Sequence, residues 1–154
     1  MMSLASEVLC ALAGKTLATA ESCTGGMIGA ALTAVPGSSA VYKGGIISYW
    51  SEVKEFVLGV DGEILRRFGA VSAPVAEDMA KGARKALEAD VAVSVTGLAG
   101  PGGDEFGNPV GTVFVGYADA EKAIVQEYHF IGNREEVRLQ AAVAALELIL
   151  KNCK

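Results

Sequence analysis

The chain has 154 residues, of which 51% are hydrophobic, and its 13 basic and 18 acidic side chains give a formal net charge of −5 at pH 7. This length and composition predict one globular domain, residues 1–154, that buries roughly two-thirds of its unfolded surface. The acidic balance argues against a general polyanion binder, so we expect no nucleic-acid partner, although a local basic pocket for one phosphate is compatible with it.

The first half of the chain alternates helical and extended patterns. Leu4, Val8 and Leu12 recur at helical spacing, which predicts an amphipathic helix over residues 3–13. The further elements predicted here are a strand at 15–22, a helix with a Gly-rich first turn at 24–34, a strand at 41–50, and short helices near 51–58 and 61–68. Central glycines in the second strand, among them Gly45, allow another group to approach its backbone closely.

The second half of the chain begins with a helix and continues with strands. Ser72 is a candidate N-cap, and Pro74 helps to begin the helix. The elements predicted here are that helix, a strand at 90–97, a loop at 98–109, two paired strands at 110–118 and 123–130, and a long final helix. Asn133 and Glu136 have the spacing of a capping box at the start of the final helix.

This order of elements predicts an α/β fold, a three-layer α/β/α sandwich around a mixed, mostly parallel sheet. Functional groups in such sheets gather where strands end at their C-terminal edge. Three loops in that position carry hydroxyls, glycines or a lysine: “ESCTGG” at 21–26, “SYWSEVK” at 48–54 and “TGLAGPGG” at 96–103. Their coincidence is the strongest sign of a functional site in the residues alone.

The metal-ligating and thiol groups argue against a metal centre. Cys10, Cys23 and Cys153 form no C-x-x-C pair and His129 is the only histidine, so these residues cannot form an ordinary Cys/His zinc site. We expect no metal, no cofactor, and free thiols in a reducing cytoplasm. The N-terminal segment has Glu7 inside a short apolar run, unlike a signal peptide, and no stretch is long and apolar enough for a membrane span. We therefore expect a cytoplasmic protein without a membrane partner.

Ser22 is the first candidate for a chemical role. It lies between a predicted strand and a helix start, where backbone N–H groups are unpaired and the helix dipole is positive. Such donors can hold a phosphate or the oxyanion of an acyl-transfer reaction. The alternative is that Ser22 or Thr24 only caps the helix. Cys23 is a rival nucleophile, unless it is a buried and unreactive thiol.

A nucleophilic serine requires a base. His129 alternates with Tyr128 and Phe130, which suggests an ordinary strand position. The remaining candidates are Tyr49 and Lys54. A lysine acts as a base only when neutral, so its pKa of ~10.4 must fall by roughly 2–3 units through burial or nearby positive charge. Each residue has a plainer alternative, Lys54 on a helix surface and Tyr49 as a core or rim aromatic.

The Gly-rich loop that follows the strand at 90–97 is a candidate phosphate site. Its sequence, “VTGLAGPGG”, is not a P-loop, and Pro101 and Pro109 exclude the helix that a dinucleotide-binding G-x-G-x-x-G motif requires. Arg134 and Arg138 lie one turn apart on the final helix and can reach a phosphate. An ordered connecting loop and two solvated arginines are the plainer interpretations.

Residues 102–106 spell GGDEF, the motif that names a class of cyclic-dinucleotide synthases. Those enzymes also need metal-binding acids from an earlier strand, commonly in a D-x-D-x-F-K-like segment, and nothing in this chain resembles one. Their motif lies in a β-hairpin, whereas this one follows “TGLAGP” and precedes “NPVG”. We therefore interpret the spelling as accidental.

Six motifs occur in the order “ATAESCTGG”, “VYKGGIISYWSEVK”, “GAVSAPVAEDMAKGAR”, “VTGLAGPGG”, “NPVGTVFVG” and “GNREEVR”. From about Leu17 to Leu150, nearly the whole chain, they resemble the CinA C-terminal domain family, whose members include nicotinamide mononucleotide deamidases. The resemblance implies a fold like the anticodon-binding domains of some aminoacyl-tRNA synthetases. It also implies hydrolysis of the carboxamide of nicotinamide mononucleotide, a small-molecule substrate, to the acid with release of ammonia.

The resemblance also indicates which residues carry the reaction. The catalytic residues are expected to be the nucleophile Ser22 with Tyr49 and Lys54. The substrate-binding residues are expected to be Cys23, Thr24, Gly25, Gly26, Gly45, Thr96, Gly97, Gly100, Gly102, Arg138 and Gln140. Backbone N–H groups at 23–26 are expected to stabilise an oxyanion, and the 97–103 loop with Arg138 to hold the phosphate. Positions 138 and 140 diverge by about 200° around a helix, so Arg138 is the better candidate for the pocket.

Two departures from the family pattern fall near the expected site. Ser51 stands where the family often has Asn, and Asn108 where it commonly has Lys, which leaves the substrate preference open. We expect a stand-alone domain without the family's frequent N-terminal molybdopterin-binding-like domain, and a homo-oligomer. Two other functions stay open: a non-catalytic nucleotide-phosphate-binding module, and a different amidase or pyrophosphate-cleaving activity on a related nucleotide.

Overall fold

A computed structural model describes residues 1–154 and contains one five-stranded sheet and six α-helices. The strands are β1 (Leu17–Glu21), β2 (Tyr42–Ile47), β3 (Val91–Gly97), β4 (Thr112–Ala118) and β5 (Ala123–His129). The helices are α1 (Met2–Ala11), α2 (Met27–Thr33), α3 (Ser51–Phe56), α4 (Gly62–Phe68), α5 (Ala73–Ala86) and α6 (Arg134–Asn152). The predicted alternation of strands and helices is confirmed, with bounds that differ by a few residues.

The strands lie in the order β2-β1-β3-β4-β5. β1 pairs in parallel with β2 and β3, whereas β4 pairs antiparallel with β3 and β5. Four strands therefore point the same way and β4 is reversed, which confirms the predicted mixed, mostly parallel sheet. Because β1, β2 and β3 are parallel neighbours, their C-terminal ends lie side by side at one edge of the sheet.

The sheet is covered on both faces. On β1, Leu17 belongs to a large core cluster that also contains residues of α1, α2 and α6, while Ala18 and Ala20 belong to a smaller cluster with residues of α4 and α5. This alternation is the period of two that a strand buried on both faces shows. The two helical layers confirm the predicted three-layer α/β/α sandwich.

Two helix starts differ from the prediction. α2 begins at Met27, later than residue 24, because Gly25 and Gly26 adopt left-handed backbone conformations (φ 59° and 104°) that extend the turn after β1. Ser72 is at the N-cap position of α5, but its hydroxyl donates to the carbonyl of Gly69 at 2.8 Å and makes no capping bond. None of the helices combines the length and apolar character that a membrane span requires.

The capping box at the start of α6 is confirmed. The Asn133 side chain accepts a hydrogen bond from the N–H of Glu136 at 2.9 Å, and the Glu136 carboxylate accepts one from the N–H of Asn133 at 2.9 Å. The two bonds satisfy backbone donors that a helix start leaves unpaired. They also fix the backbone of Arg134, the first residue of α6.

Replacement of Asn133 by Ala should lower the free energy of unfolding by about 1 kcal/mol, because the N–H of Glu136 loses its acceptor. Asn133→Asp keeps an acceptor oxygen and should retain most of the stability. Urea denaturation followed by circular dichroism measures both variants. Equal losses for the two would contradict the capping role.

Candidate active site

A cavity of about 200 Å³ lies at the edge of the sheet where β1, β2 and β3 end. The three loops singled out in the sequence all contribute to it. Its lining includes Ser22, Cys23, Tyr49, Lys54, Ala70, Val71, Thr96, Gly97, Leu98, Ala99, Gly100, Gly102 and Arg134. The tertiary structure therefore brings most of the expected site residues around one small space.

Ser22 and Lys54 are in direct contact inside this cavity. Lys54 Nζ lies 2.9 Å from Ser22 Oγ, and Lys54 is only 1% exposed. A buried ammonium is usually paired with a carboxylate, yet Lys54 is in none of the salt bridges of the protein. Burial lowers the pKa of Lys54 from 10.5 to about 8, because desolvation disfavours the charged form. About a tenth of Lys54 is therefore neutral at pH 7, against roughly 0.03% of a lysine that keeps its ordinary pKa.

The oxygen atoms around Lys54 suit an amine that takes a proton from Ser22. Nζ also donates to the carbonyl oxygens of Ser48 at 2.6 Å and Tyr49 at 3.1 Å. A neutral amine has two N–H groups for these two carbonyls and one lone pair for the Ser22 hydroxyl. The same geometry fits the ammonium form, whose third N–H then donates to Ser22 Oγ.

Ser48 holds one of these carbonyls in place. It is fully buried, and both its N–H and its hydroxyl donate to the carbonyl oxygen of Glu21, at 2.8 and 3.4 Å. These bonds tie the end of β2 to the end of β1. The distance between Lys54 and Ser22 is therefore set by the pairing of two neighbouring strands.

Glu21 occupies the N-terminus of α2. Its buried carboxylate accepts hydrogen bonds from the hydroxyl of Thr24 at 2.7 Å and from the N–H groups of Gly26, Ile28 and Gly29 at 3.2, 3.0 and 3.0 Å. Four donors and the helix dipole compensate its charge. The chain's own carboxylate thus fills the anion site expected at this helix start, and Thr24, Gly25 and Gly26 are not in the cavity lining.

The sequence carries a signal for this role of Glu21. Glu21 directly precedes the Ser22 turn and comes shortly before α2, which begins at Met27, and a carboxylate near a helix start is favoured by the dipole. Only the tertiary structure shows that the Glu21 carboxylate takes the place of a bound anion, because this depends on the direction in which the side chain leaves the end of β1.

Two N–H groups remain as candidate oxyanion donors. The N–H of Gly25 donates to the carbonyl of Ser22 at 3.1 Å, whereas those of Cys23 and Thr24 donate to no backbone carbonyl. Arg138 Nε and Nη2 donate to the carbonyls of Cys23 and Thr24 at 2.9 and 3.2 Å. The C=O and N–H of a trans peptide point to opposite sides. The carbonyl of Cys23 and the N–H of Thr24 belong to one peptide group. Because Arg138 holds that carbonyl, the N–H of Thr24 points away from Arg138.

The rival candidates for the chemical groups are poorly placed or unreactive. Burial raises the pKa of the Cys23 thiol to about 11, so it stays protonated at neutral pH and is a weak nucleophile. His129 lies on β5 with its ring 2.6 Å from the Glu127 carboxylate, and it is not in the cavity lining. Ser22 and Lys54 are the nucleophile and base that the geometry favours.

The arginines of α6 divide their roles differently from the expectation. Arg138 is half-buried against the turn after β1 and does not line the cavity, because its guanidinium is bonded to backbone carbonyls. Arg134 lines the cavity instead. The sequence placed both residues on one helix face but could not show which of them reaches the opening.

Two further expected residues lie outside the cavity lining. Gln140 donates to the carbonyls of Ile131 and Glu136, both at 3.0 Å, since its side chain leaves α6 in another direction from Arg138. Gly45 lies on the edge strand β2, where a Cβ atom would overlap the hydroxyl of Thr19. Its lack of a side chain serves the packing of β2 on β1.

The loop between β3 and β4 is held by its own side chains. Thr96 donates its hydroxyl to the carbonyl of Ala70 at 2.7 Å, and the Asn108 amide donates to the carbonyl of Val71 at 3.2 Å. Asp104, the acid of the GGDEF spelling, accepts from the Asn108 amide at 2.8 Å and from two backbone N–H groups of the same loop. The acid stabilises its own loop and the wall that Ala70 and Val71 form.

Comparisons with known proteins agree over the whole chain. A family model described as the CinA C-terminal domain matches residues 2–153. A CinA-like protein of Thermotoga neapolitana is 44% identical over 140 residues, which cover 91% of this chain and 34% of that protein. A CinA-like protein of Geobacter sulfurreducens is 48% identical over 134 residues, which cover 87% of this chain and 32% of that protein. The chain spans about a third of the length of the curated relatives it matches.

Solved structures match over nearly their full length. A CinA superfamily protein from Klebsiella pneumoniae has a TM-score of 0.96 at 36% identity, over 99% of this chain and 96% of that one. The competence/damage inducible protein CihA from Agrobacterium tumefaciens has a TM-score of 0.94 at 40% identity, over 97% of this chain and 93% of that one.

The depressed pKa of Lys54 makes the stability dependent on pH. Between about pH 8 and about pH 10.5 the unfolded chain keeps this proton while the folded chain has lost it, so the free energy of unfolding rises with pH. The free energy of unfolding of the wild type, measured relative to that of Lys54→Met, should rise by about 2 kcal/mol between about pH 7.5 and about pH 9.5. Urea denaturation at each pH measures the difference.

Lys81→Met, at an exposed position on α5, is the control for loss of a lysine. A difference between wild type and Lys54→Met that does not change with pH would contradict the depressed pKa.

Proposed function

The chain belongs to the CinA C-terminal domain family, and from this membership and the cavity we propose that it is an amidohydrolase. Its proposed reaction converts nicotinamide mononucleotide to nicotinate mononucleotide and ammonia. The observation that supports this most directly is the Ser22–Lys54 contact of 2.9 Å in a cavity where Lys54 is buried. A serine beside a base of lowered pKa is the arrangement that nucleophilic acyl transfer needs.

In the first step neutral Lys54 accepts the Ser22 hydroxyl proton on its lone pair. Ser22 Oγ then forms a bond to the carbonyl carbon of the carboxamide, and the carbonyl oxygen becomes an oxyanion. The N–H groups of Cys23 and Thr24, which donate to no backbone carbonyl, are the proposed donors to this oxygen. Arg138 supports the step by holding the carbonyl of Cys23, which belongs to the same peptide group as the N–H of Thr24.

In the second step the Lys54 ammonium returns its proton to the amide nitrogen. The C–N bond breaks, ammonia leaves, and nicotinate stays bound to Ser22 as an ester. A water molecule then gives a proton to Lys54 and attacks the ester carbonyl. The bond from the acyl carbon to Ser22 Oγ breaks, the acid leaves, and the Lys54 ammonium returns the proton to Ser22 Oγ. Lys54 thus acts as base and then acid in each half of the reaction while the Ser48 and Tyr49 carbonyls hold its nitrogen.

The proton route in this mechanism is direct and does not pass through the Tyr49 hydroxyl. That hydroxyl makes its hydrogen bond with Arg134 at 3.2 Å, and it is Tyr49's backbone carbonyl that contacts Lys54. The ring of Tyr49 borders the cavity and is more than half exposed. Its proposed role is to contact the substrate ring at the opening.

The size of the cavity suggests how a mononucleotide would bind. About 200 Å³ is less than the ~300–1,000 Å³ of pockets that enclose whole drug-sized ligands. The nicotinamide ring and its carboxamide therefore enter, with the ribose phosphate at the opening. There the N–H groups of Ala99, Gly100 and Gly102 donate to no acceptor within the protein, which is the arrangement of a backbone anion site.

Ser22→Ala should reduce ammonia release from nicotinamide mononucleotide by about 10⁴-fold or more, because the nucleophile is removed. Ser38→Ala, the same change at a serine outside the cavity, should leave the rate unchanged. A coupled assay for ammonia measures both variants. Turnover by Ser22→Ala close to that of the wild type would rule out the mechanism.

Thermal stabilisation of the wild type by the nucleotide without any ammonia release would indicate the alternative function, a non-catalytic nucleotide-phosphate-binding module.

The rate should also follow the ionisation of Lys54. Only the neutral amine accepts the serine proton, so kcat/KM is lost as pH falls through the pKa of about 8 and levels off above it. Lys54→Arg, which stays protonated at all these pH values, should have no measurable rate at any pH. A profile that is flat between about pH 6 and about pH 9 would contradict the role of Lys54 as base.

A further inference from the structure

Arg134 joins two loops across the opening of the cavity. Its Nη1 donates to the carbonyl of Gly100 at 2.6 Å, in the loop after β3, and its Nη2 donates to the hydroxyl of Tyr49 at 3.2 Å, in the segment after β2. Arg134, Gly100 and Tyr49 line the same cavity as Ser22 and Lys54. Arg134 is also solvent-exposed, so an incoming ligand can reach it.

The charge of Arg134 is not compensated by the protein. Both of its acceptors are neutral, and it is in none of the salt bridges. No aspartate or glutamate is in the cavity lining, although the chain carries 18 acidic residues. A guanidinium forms stronger hydrogen bonds to a phosphate than to a carbonyl or a phenol. An anion at the opening can therefore compete with both present partners for the guanidinium.

The backbone beside Arg134 favours the same ligand. The N–H groups of Ala99, Gly100 and Gly102 donate to no acceptor within the protein. Gly100 has a left-handed backbone (φ 95°) that a side chain would disfavour. Free backbone N–H groups close to a guanidinium are the kind of donors that a tetrahedral anion binds.

We propose that Arg134 recognises the substrate's phosphate monoester and, in binding it, releases Tyr49. This inference rests on the proposed function for the identity of the substrate, and it adds the residue that selects a nucleotide over the unphosphorylated nucleoside. The hydrogen bond to Arg134 is the only one that the Tyr49 hydroxyl makes. Once Arg134 binds phosphate, the Tyr49 side chain is free to move onto the nicotinamide ring.

The competing explanation is that Arg134 only connects α6 to the two loops. The two explanations differ in what phosphate does. If Arg134 binds phosphate, it exchanges its hydrogen-bond partners when phosphate is added. If Arg134 only connects α6 to the two loops, added phosphate leaves its hydrogen bonds unchanged. They also differ in substrate dependence, because loss of a structural connection would affect phosphorylated and unphosphorylated substrates alike.

The first experiment titrates inorganic phosphate into the wild-type protein and follows the fluorescence of Trp50. Trp50 is the only tryptophan, is exposed, and adjoins Tyr49, so it reports a change in this segment. We expect a saturable change in the wild type. Arg134→Gln, which removes the charge but keeps hydrogen-bond donors, should weaken the apparent affinity for phosphate about 10- to 100-fold. Arg134→Lys should recover part of it.

The control is Arg67→Gln, the same loss of charge on α4. Arg67 lies outside the cavity lining, and its guanidinium carbon is 5.4 Å from the centroid of the Phe68 ring. The Arg67→Gln variant should leave the phosphate response unchanged. A wild type with no saturable response by fluorescence or thermal shift, or an Arg134→Gln variant with an unaltered response, would overturn the inference.

The second experiment compares ammonia release from nicotinamide mononucleotide and from nicotinamide riboside. Arg134→Gln should raise KM for the nucleotide about 10- to 100-fold and change that for the riboside by less than about twofold. Equal effects on the two substrates would assign Arg134 a structural role and overturn the inference.

The two proposals fail separately. A wild type that releases no ammonia from either substrate, but still shows an Arg134-dependent phosphate response, would defeat the amidohydrolase proposal and support Arg134 as the phosphate ligand.

Discussion

The site depends on one buried amine that has no carboxylate beside it. Three oxygen atoms, from Ser22, Ser48 and Tyr49, surround Lys54 Nζ. A carboxylate at the same distance would stabilise the ammonium and raise the pKa of Lys54, and the neutral amine would then be rarer still at neutral pH. Neutral oxygens satisfy its hydrogen bonds without that stabilisation. In the proposed mechanism, the absence of acids from the cavity lining keeps Lys54 available as a base for Ser22 and leaves the charge of Arg134 for a ligand.

A second buried charge lies next to Ser22 and is compensated in another way. The Glu21 carboxylate is bonded to the Thr24 hydroxyl and to N–H groups at the start of α2, so the helix, and not Lys54, is its partner. Its backbone carbonyl holds Ser48, which in turn holds Lys54. The same residue therefore stabilises α2, occupies an anion site close to the proposed nucleophile Ser22, and helps to position the proposed base Lys54 through the pairing of two strands.

Features that depend on neighbours in the chain were predicted well. The capping box of Asn133 and Glu136 and the doubly buried strand β3 were both expected and both found. Features that depend on the choice between competing partners were not. Ser72 lies at a helix start but donates to Gly69, and Arg138 lies on the expected helix face but is bonded to backbone carbonyls before it can reach the cavity.

By itself the sequence determined the succession of strands and helices and the family. It also limited the possible activators of a serine nucleophile to Lys54 and Tyr49. Periodicity, caps and residue inventory are properties of the chain, so no tertiary structure was needed for these conclusions. Only the tertiary structure decided that Lys54 reaches Ser22 with its amine while Tyr49 offers a carbonyl, and that Arg134, not Arg138, borders the cavity. Ser22 and Lys54 are 32 positions apart in the chain, and Tyr49 and Arg134 are 85 positions apart. The order of β1, β2 and β3 and the packing of α6 set their separations, and no local pattern encodes those distances.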